Sequence, residues 1–144
     1  MVRSHTLRTQ KGLVNDPMPP DMIWRIDDFL IDPSRPLYEQ FVEQIRAMIA
    51  KGKLAPGTRL PSVRETASSL RVNPTTIMKT YQELERLSLL VTYRGQGTFV
   101  TNEQSAITRS RRELARSAVA RLEELAQSIG LTLAQFIALA KEED

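Results

Sequence analysis

Apolar residues recur at helical spacing through Leu37, Phe41, Ile45, Met48 and Ile49, giving one apolar face to a helix that begins at Pro36. Proline suits the first helical position, because its φ is fixed and an N–H there would have no partner anyway. Gly52 ends this helix, and Lys53-Leu54-Ala55-Pro56-Gly57 reads as a turn. Ser62-Val63-Arg64-Glu65, preceded by Pro61, has the form of a capping box, in which Ser62 and Glu65 satisfy each other's orphan backbone donors. The short helix it opens turns Val63, Ala67 and Leu70 inward. Arg71-Val72-Asn73 then makes a turn, with Val72 plugging the space between helices. Asn73 caps a further helix with Pro74 at its first position, running to about Ser88. Its inner stripe is Ile77, Tyr81, Leu84 and Leu87, and the same period carries Thr75, Thr76, Lys79 and Thr80 away from that stripe. Residues 89–93 and 98–101 are strand-like runs around Arg94-Gly95-Gln96-Gly97, whose glycines allow a tight hairpin.

Further along, residues 107–129 form a helix by composition, with Leu114, Ala118, Leu122, Leu125 and Ile129 on one face and Gly130 as its stop. Thr132-Leu133-Ala134-Gln135 is a second capping box, opening a helix with Leu133, Phe136, Ile137 and Ala140 inward. Residues 1–22 show no periodicity, carry Pro17, Pro19 and Pro20, and read as a flexible arm. Met22-Ile23-Trp24-Arg25-Ile26 alternates and suits a short strand or clip, with Trp24 packing on the domain. The expected fold is mainly α with a small β-hairpin: a winged helix-turn-helix over residues 23–104, followed by a C-terminal helical hairpin over 105–144.

The chain's 144 residues suffice for one ordinary domain plus an appendage. Without cysteine there is no disulfide frame, thiolate metal site or cysteine nucleophile, which fits a reducing interior. No apolar run approaches a membrane span and the N-terminus lacks a signal-peptide core, so a cytoplasmic protein with no membrane partner is expected. The net charge of +3 is modest, but it is not evenly spread. Residues 1–35 hold 5 basic and 5 acidic side chains and residues 105–144 hold 6 of each, whereas residues 36–104 hold 9 basic against 6 acidic. The excess falls on the helix-turn-helix stretch, as contact with phosphate requires.

In a helix-turn-helix, the N-terminal end of the second helix enters the major groove of DNA. Threonine hydroxyls there reach phosphates or base edges, their methyls meet thymine methyls, and Lys79 reaches guanine or phosphate. Pro36 to Gln40 (PLYEQ), Leu54 to Glu65 (LAPGTRLPSVRE), Val72 to Glu85 (VNPTTIMKTYQELE) and Arg94 to Val100 (RGQGTFV) together resemble the DNA-binding domain of GntR-family transcription regulators. The resemblance spans roughly half the chain and implies DNA-contacting roles for Arg64, Asn73, Thr75, Thr76 and Lys79, and at the wing for Arg94, Gly95 and Gln96. It breaks at Leu87-Ser88, where the family has an acidic residue and then glycine. Losing that glycine removes an easy left-handed cap, so a changed or weaker corner is expected there.

About 40 residues in two helices bury too little apolar surface to stand alone. The expected solution is a homodimer built on Leu114, Ala118, Leu122, Leu125, Ile129, Leu133, Phe136 and Ile137; the competing one folds the hairpin back on its own domain. The tail is too short for the large effector domains of most GntR proteins and resembles the YtrA-type subfamily. That resemblance implies a dimeric regulator, more often a repressor, reading double-stranded operator DNA of near-palindromic sequence. A groove between tail and DNA-binding domain can admit a small-molecule effector, although no polar cluster marks one. The alternative reading is an adaptor that uses the winged helix for protein contact; the basic excess argues against it. Catalysis is not expected: the single histidine, His5, has no partner, there is no glycine-rich phosphate loop, and Glu123-Glu124 and Glu142-Glu143 are sequence neighbours on helix surfaces. No metal or cofactor is implied.

Overall fold

The computed structural model describes residues 23–143. Helix α1 (Leu37–Ala50) is the central element, and it buries Phe41, Val42, Ile45, Met48 and Ile49. Each such side chain, fully removed from water, contributes about 1.5–3 kcal/mol. Pro36 stands at the N-cap, one position before the expected one, and the chain leaves α1 through Gly52 at φ +83°. Strand β1 (Arg59–Leu60) follows, then α2 (Val63–Leu70), α3 (Pro74–Arg86), β2 (Leu90–Tyr93), β3 (Gly97–Val100), α4 (Gln104–Ser128) and α5 (Leu133–Ala140). Helix α1 packs against both α3 and α4, and α2 packs against α3.

The hairpin expected from the glycines is part of a three-stranded antiparallel sheet of order β1-β3-β2. Arg59 pairs with Phe99 and Leu60 with Thr98 on one side of β3, while Leu90 pairs with Val100 and Tyr93 with Gly97 on the other. The two-residue β1 is too short to show an alternation, so its pairing could not be read locally. The stretch around Trp24 is not a strand either. Ile26–Asp28 is a single 3-10 turn, and Trp24 is buried edge-to-face on Phe29, which in turn meets Phe41 edge-to-face at 4.9 Å. The indole N–H of Trp24 has no hydrogen-bond partner among the described residues. The arm expected over residues 1–22, with His5, Arg3, Arg8 and Lys11, lies outside the described residues.

Two glutamines one helical turn apart strap the incoming chain to α1. The Leu30 N–H donates to Gln44 Oε1 (2.9 Å) and Gln44 Nε2 donates to the Leu30 carbonyl (2.7 Å). Gln40, which is buried, makes the same two-point contact with Asp32 at 2.6 and 2.8 Å, and adds a bond to the Arg35 carbonyl. Backbone polar groups lying on a helix, away from any sheet, are thereby satisfied by side-chain amides.

The corner after α3 keeps the left-handed geometry that the sequence leaves to a serine. Ser88 has φ +62°, and its N–H donates to the Glu85 carbonyl while the Leu89 N–H donates to that of Leu84, both at 2.9 Å. That is the double bond pattern of a glycine cap, with Leu84 and Leu89 buried against it. The expected change of corner is therefore absent; what remains is the strain of a side chain at positive φ, about 1–2 kcal/mol. The tail helix α4 begins at Gln104 instead of 107, and its first turns bury Ala106, Ile107 and Ser110 where it meets the preceding domain.

Replacing Ser88 with glycine is expected to raise stability in urea by about 0.5–1 kcal/mol, since relief of strain exceeds the entropy added to the unfolded chain. A lower midpoint of unfolding would show that the serine is not strained.

Candidate nucleic-acid interface

Helix α2 starts as the capping box requires: Glu65 N–H donates to Ser62 Oγ at 3.1 Å and Ser62 N–H to Glu65 Oε1 at 3.4 Å. It ends at Arg71, held in the left-handed region at φ 57°. Asn73 then caps α3 by accepting the Thr75 N–H on Oδ1 at 2.8 Å, with Pro74 behind it. The two helices are fixed to each other by a buried hydroxyl. Tyr81 Oη on α3 lies 2.8 Å from Thr66 Oγ1 on α2 and donates to the Pro61 carbonyl, also at 2.8 Å. Burial pushes the Tyr81 phenol well above its ordinary range, so it stays neutral and keeps its proton for that bond.

On the opposite side of α3, Asn73, Thr75 and Lys79 are exposed and Thr76 is half-buried. Thr80 is the exception to the sequence expectation: it is fully buried, and its hydroxyl donates to the Thr76 carbonyl at 2.8 Å. A hydroxyl spent on the preceding turn can sit against the core, and periodicity alone cannot register that. Met78 instead faces outward beside Lys79, presenting an apolar group suited to a thymine methyl. The Lys79 ammonium rests 5.8 Å from the centroid of the Tyr38 ring, so α1 contributes to the placement of this cation. Arg64 is exposed on the first turn of α2.

At the wing, Arg94, Gly95 and Gln96 are all exposed. Gln96 N–H donates to the Tyr93 carbonyl at 2.9 Å, and Gly95 adopts φ +79° at the third position of that turn, which a side chain would oppose. The wing has a brace that sequence reasoning missed. The Arg59 guanidinium, on β1, lies 6.0 Å from the Phe99 ring centroid, and a Cβ on Gly97 would come within 2.9 Å of Arg59 Nε. On the α3 side, Thr92 Oγ1 donates to Glu85 at 2.7 Å and meets Thr98 Oγ1 at 3.1 Å, which joins the sheet to α3.

Charge pairing divides the head. Arg35, Arg46, Lys53 and Arg86 each have a carboxylate partner. Arg25, Lys51, Arg59, Arg64, Arg71, Lys79 and Arg94 form no ion pair among the described residues. Five of them, Arg59, Arg64, Arg71, Lys79 and Arg94, lie on β1, α2, the turn, α3 and the wing. Among the described residues no group of three or more acidic or histidine side chains is placed to hold a metal, and no helix is long and apolar enough to cross a membrane. Two concavities stand out. One of about 540 Å³ lies at the α4–α5 corner, around Glu123, Gly130 and Thr132; another of about 300 Å³ lies between α1 and α3, around Tyr38, Glu43 and Glu83. Neither is the groove between tail and head anticipated for an effector.

Residues 37–100 match the family described as bacterial regulatory proteins, gntR family. The chain is 39% identical over 99 residues to the HTH-type transcriptional regulator YhcF of Bacillus subtilis, an alignment covering 69% of this chain and 82% of that protein. It is 47% identical over 73 residues to the HTH-type transcriptional repressor YtrA of the same organism, covering 49% of this chain and 56% of YtrA. Among solved structures, a GntR family transcriptional regulator from Listeria monocytogenes superposes with TM-score 0.71 at 33% identity, over 79% of this chain and all of that one. YtrA from Sulfolobus acidocaldarius, a GntR-family transcription factor, superposes with TM-score 0.51 at 34% identity, over 65% of this chain and 81% of its own.

Because one hydroxyl joins α2 to α3, Tyr81→Phe is expected to lower the unfolding free energy by about 1–3 kcal/mol, leaving the buried Pro61 carbonyl and Thr66 hydroxyl short of a partner. Equilibrium unfolding in urea measures this, and an unchanged midpoint would show that the hydroxyl is dispensable.

Proposed function

The chain belongs to the GntR family of bacterial regulatory proteins, and on that premise we propose that it is a dimeric, sequence-specific repressor of transcription acting in the cytoplasm on near-palindromic operator DNA. The observation that carries the reading is the set of unpaired cations on α2, α3 and the wing, beside a polar N-terminal end of α3 that no other element covers. Thr75, Thr76, Lys79 and Asn73 enter the major groove, with Arg64 reaching phosphate or guanine from α2. Arg94, Gly95 and Gln96 approach the minor groove. The grouping of Arg59, Arg64, Arg71, Lys79 and Arg94 around α3 and the wing favours this reading over an adaptor that contacts only protein.

Dimerisation is assigned to the tail. Leu122, Leu125, Ile129 and Ile137 are exposed in the single chain, at 57% and 59% for Leu125 and Ile129. Leu114, Ala118, Leu133 and Phe136 are half-buried, while Val119 and Leu139 extend the apolar surface. So much aliphatic surface on a small hairpin marks an interface. Charge supports a second copy as its occupant. Residues 109–121 hold five arginines and one glutamate, whereas residues 123–144 hold five acids and one lysine. A two-fold partner lying antiparallel sets basic root against acidic tip.

Arg64→Ala and Lys79→Ala are each expected to weaken operator binding by about tenfold, with unchanged helical content, and to reduce the salt dependence of binding by about one phosphate contact. Titrations in which both variants bind as the native chain does would remove this surface. Leu125→Glu combined with Ile129→Glu is expected to yield a folded monomer in sedimentation; a persistent dimer would place the interface elsewhere.

A further inference from the structure

The root of α4 is clasped to α1 by two arginines pointing in opposite directions. Arg46, on α1, donates from Nε to Ser110 Oγ at 2.9 Å and from Nη2 to the Ser110 carbonyl at 3.2 Å, and its Nη2 lies 3.3 Å from Glu113 Oε2. Its side chain is only 14% exposed, so this is a fixed fork and not a loose surface pair. In return, Arg111 on α4 donates to the Ala50 carbonyl at the C-terminal end of α1, where the helix dipole favours a cation. Ala106 and Ile107 are buried just before the clasp, and Ser110 lies within it. Beyond Glu113 the helix carries mostly exposed residues as far as Ala126.

The clasp also faces the recognition helix. Arg86 grips Glu83 through two bonds, at 2.9 and 2.5 Å. The Glu83 carboxyl is held below its usual range by that pairing first and by the charge of Arg46 as well. Alternating charges therefore run from α3 through α1 to α4: Arg86, Glu83, Arg46, Glu113.

We infer that Arg46 is a positioning residue that sets which half-site spacings the dimer accepts, by fixing the angle at which α4 leaves the head. This rests on the dimeric reading above. From Glu113 to Ser128 the helix rises about 22 Å, so a tilt of about 10° at its root moves its tip by about 4 Å. One base pair along the duplex is about 3.4 Å and turns the next half-site by about 35°. A root held to within several degrees distinguishes spacings one base pair apart; a loose root does not.

The test uses the full chain and a random-sequence DNA duplex pool, from which the native protein selects its paired half-sites. Duplexes with that pair at spacings stepped by one base pair, and a duplex with a single half-site, are then titrated with native protein and with Arg46→Met. Methionine retains the aliphatic stem and removes the fork. The native chain is expected to lose about tenfold or more in affinity for each base pair of displacement, and Arg46→Met less than about threefold, with single half-site affinity and dimerisation unchanged. If Arg46→Met does not fold, Ser110→Ala combined with Glu113→Ala removes two of the fork's three acceptors and carries the same expectation. A variant dimer whose spacing profile superposes on the native one overturns the role of Arg46 alone. A native chain that selects single half-sites, or sediments as a monomer on DNA, overturns the dimeric reading and the inference together.

Discussion

The placement of α3 against α2 depends on one phenol. Tyr81 reaches across the helix-turn-helix to the Pro61 carbonyl and the Thr66 hydroxyl in a buried setting, where an unmet partner is expensive. Hydrophobic packing between Ala67, Leu70, Ile77 and Leu84 brings α2 and α3 together, but such contacts tolerate sliding. A directional bond does not. Both ends of α3 are then set by residues in the left-handed region, Arg71 before it and Ser88 after it. Neither is glycine, and such strain persists only where the surrounding structure over-determines it. Here the cap by Asn73, the Glu85–Thr92 bond and the buried Leu84–Leu89 contact perform that role.

The sequence made the helical part of this arrangement legible because its signals are local. A capping box, an Asn-Pro start and a glycine stop each act within four residues, and all three capped starts (Ser62, Asn73, Thr132) stand where they were read. What escaped depends on residues far apart in the chain. The two-residue β1 exists because β3, nearly forty residues later, offers it an edge. Thr80 points inward because its hydroxyl has a carbonyl to satisfy it. The Tyr38 ring beneath Lys79, the Arg59 brace of the wing and the Arg46 fork are likewise contacts between elements, with no periodicity of their own. At the Leu87-Ser88 corner the departure from the family pattern suggested a changed or a weaker corner, and the backbone forms the left-handed cap with a serine at positive φ, which leaves strain in place of a change of shape.

Charge in the head is sorted by task. Four cations are matched with acceptors of the head or tail root: Arg35 and Lys53 at the chain's approach to α1, Arg86 with Glu83 within α3, and Arg46 with Ser110 and Glu113 where α1 meets α4. Arg64 on α2, Lys79 near the start of α3 and Arg94 on the wing have no such partner among the described residues. A cation without an internal partner costs little on an open surface and remains available to an external anion. The tail separates its charges along its length instead, which leaves orientation, and not affinity for polyanions, as what its electrostatics encode.

The glutamine strap over Leu30 and Asp32 has a consequence of another kind. Its four bonds join neutral amides to neutral backbone groups, and the phenol of Tyr81, the Asn73 amide and the Thr132 hydroxyl likewise bond neutral backbone groups. Small ions screen charge; they leave amide-to-amide bonds almost untouched. This neutral part of the frame and the unpaired surface cations thus answer to different solution variables. A rise in ionic strength would weaken the attraction of the unpaired cations for any anion while these neutral contacts stay in register.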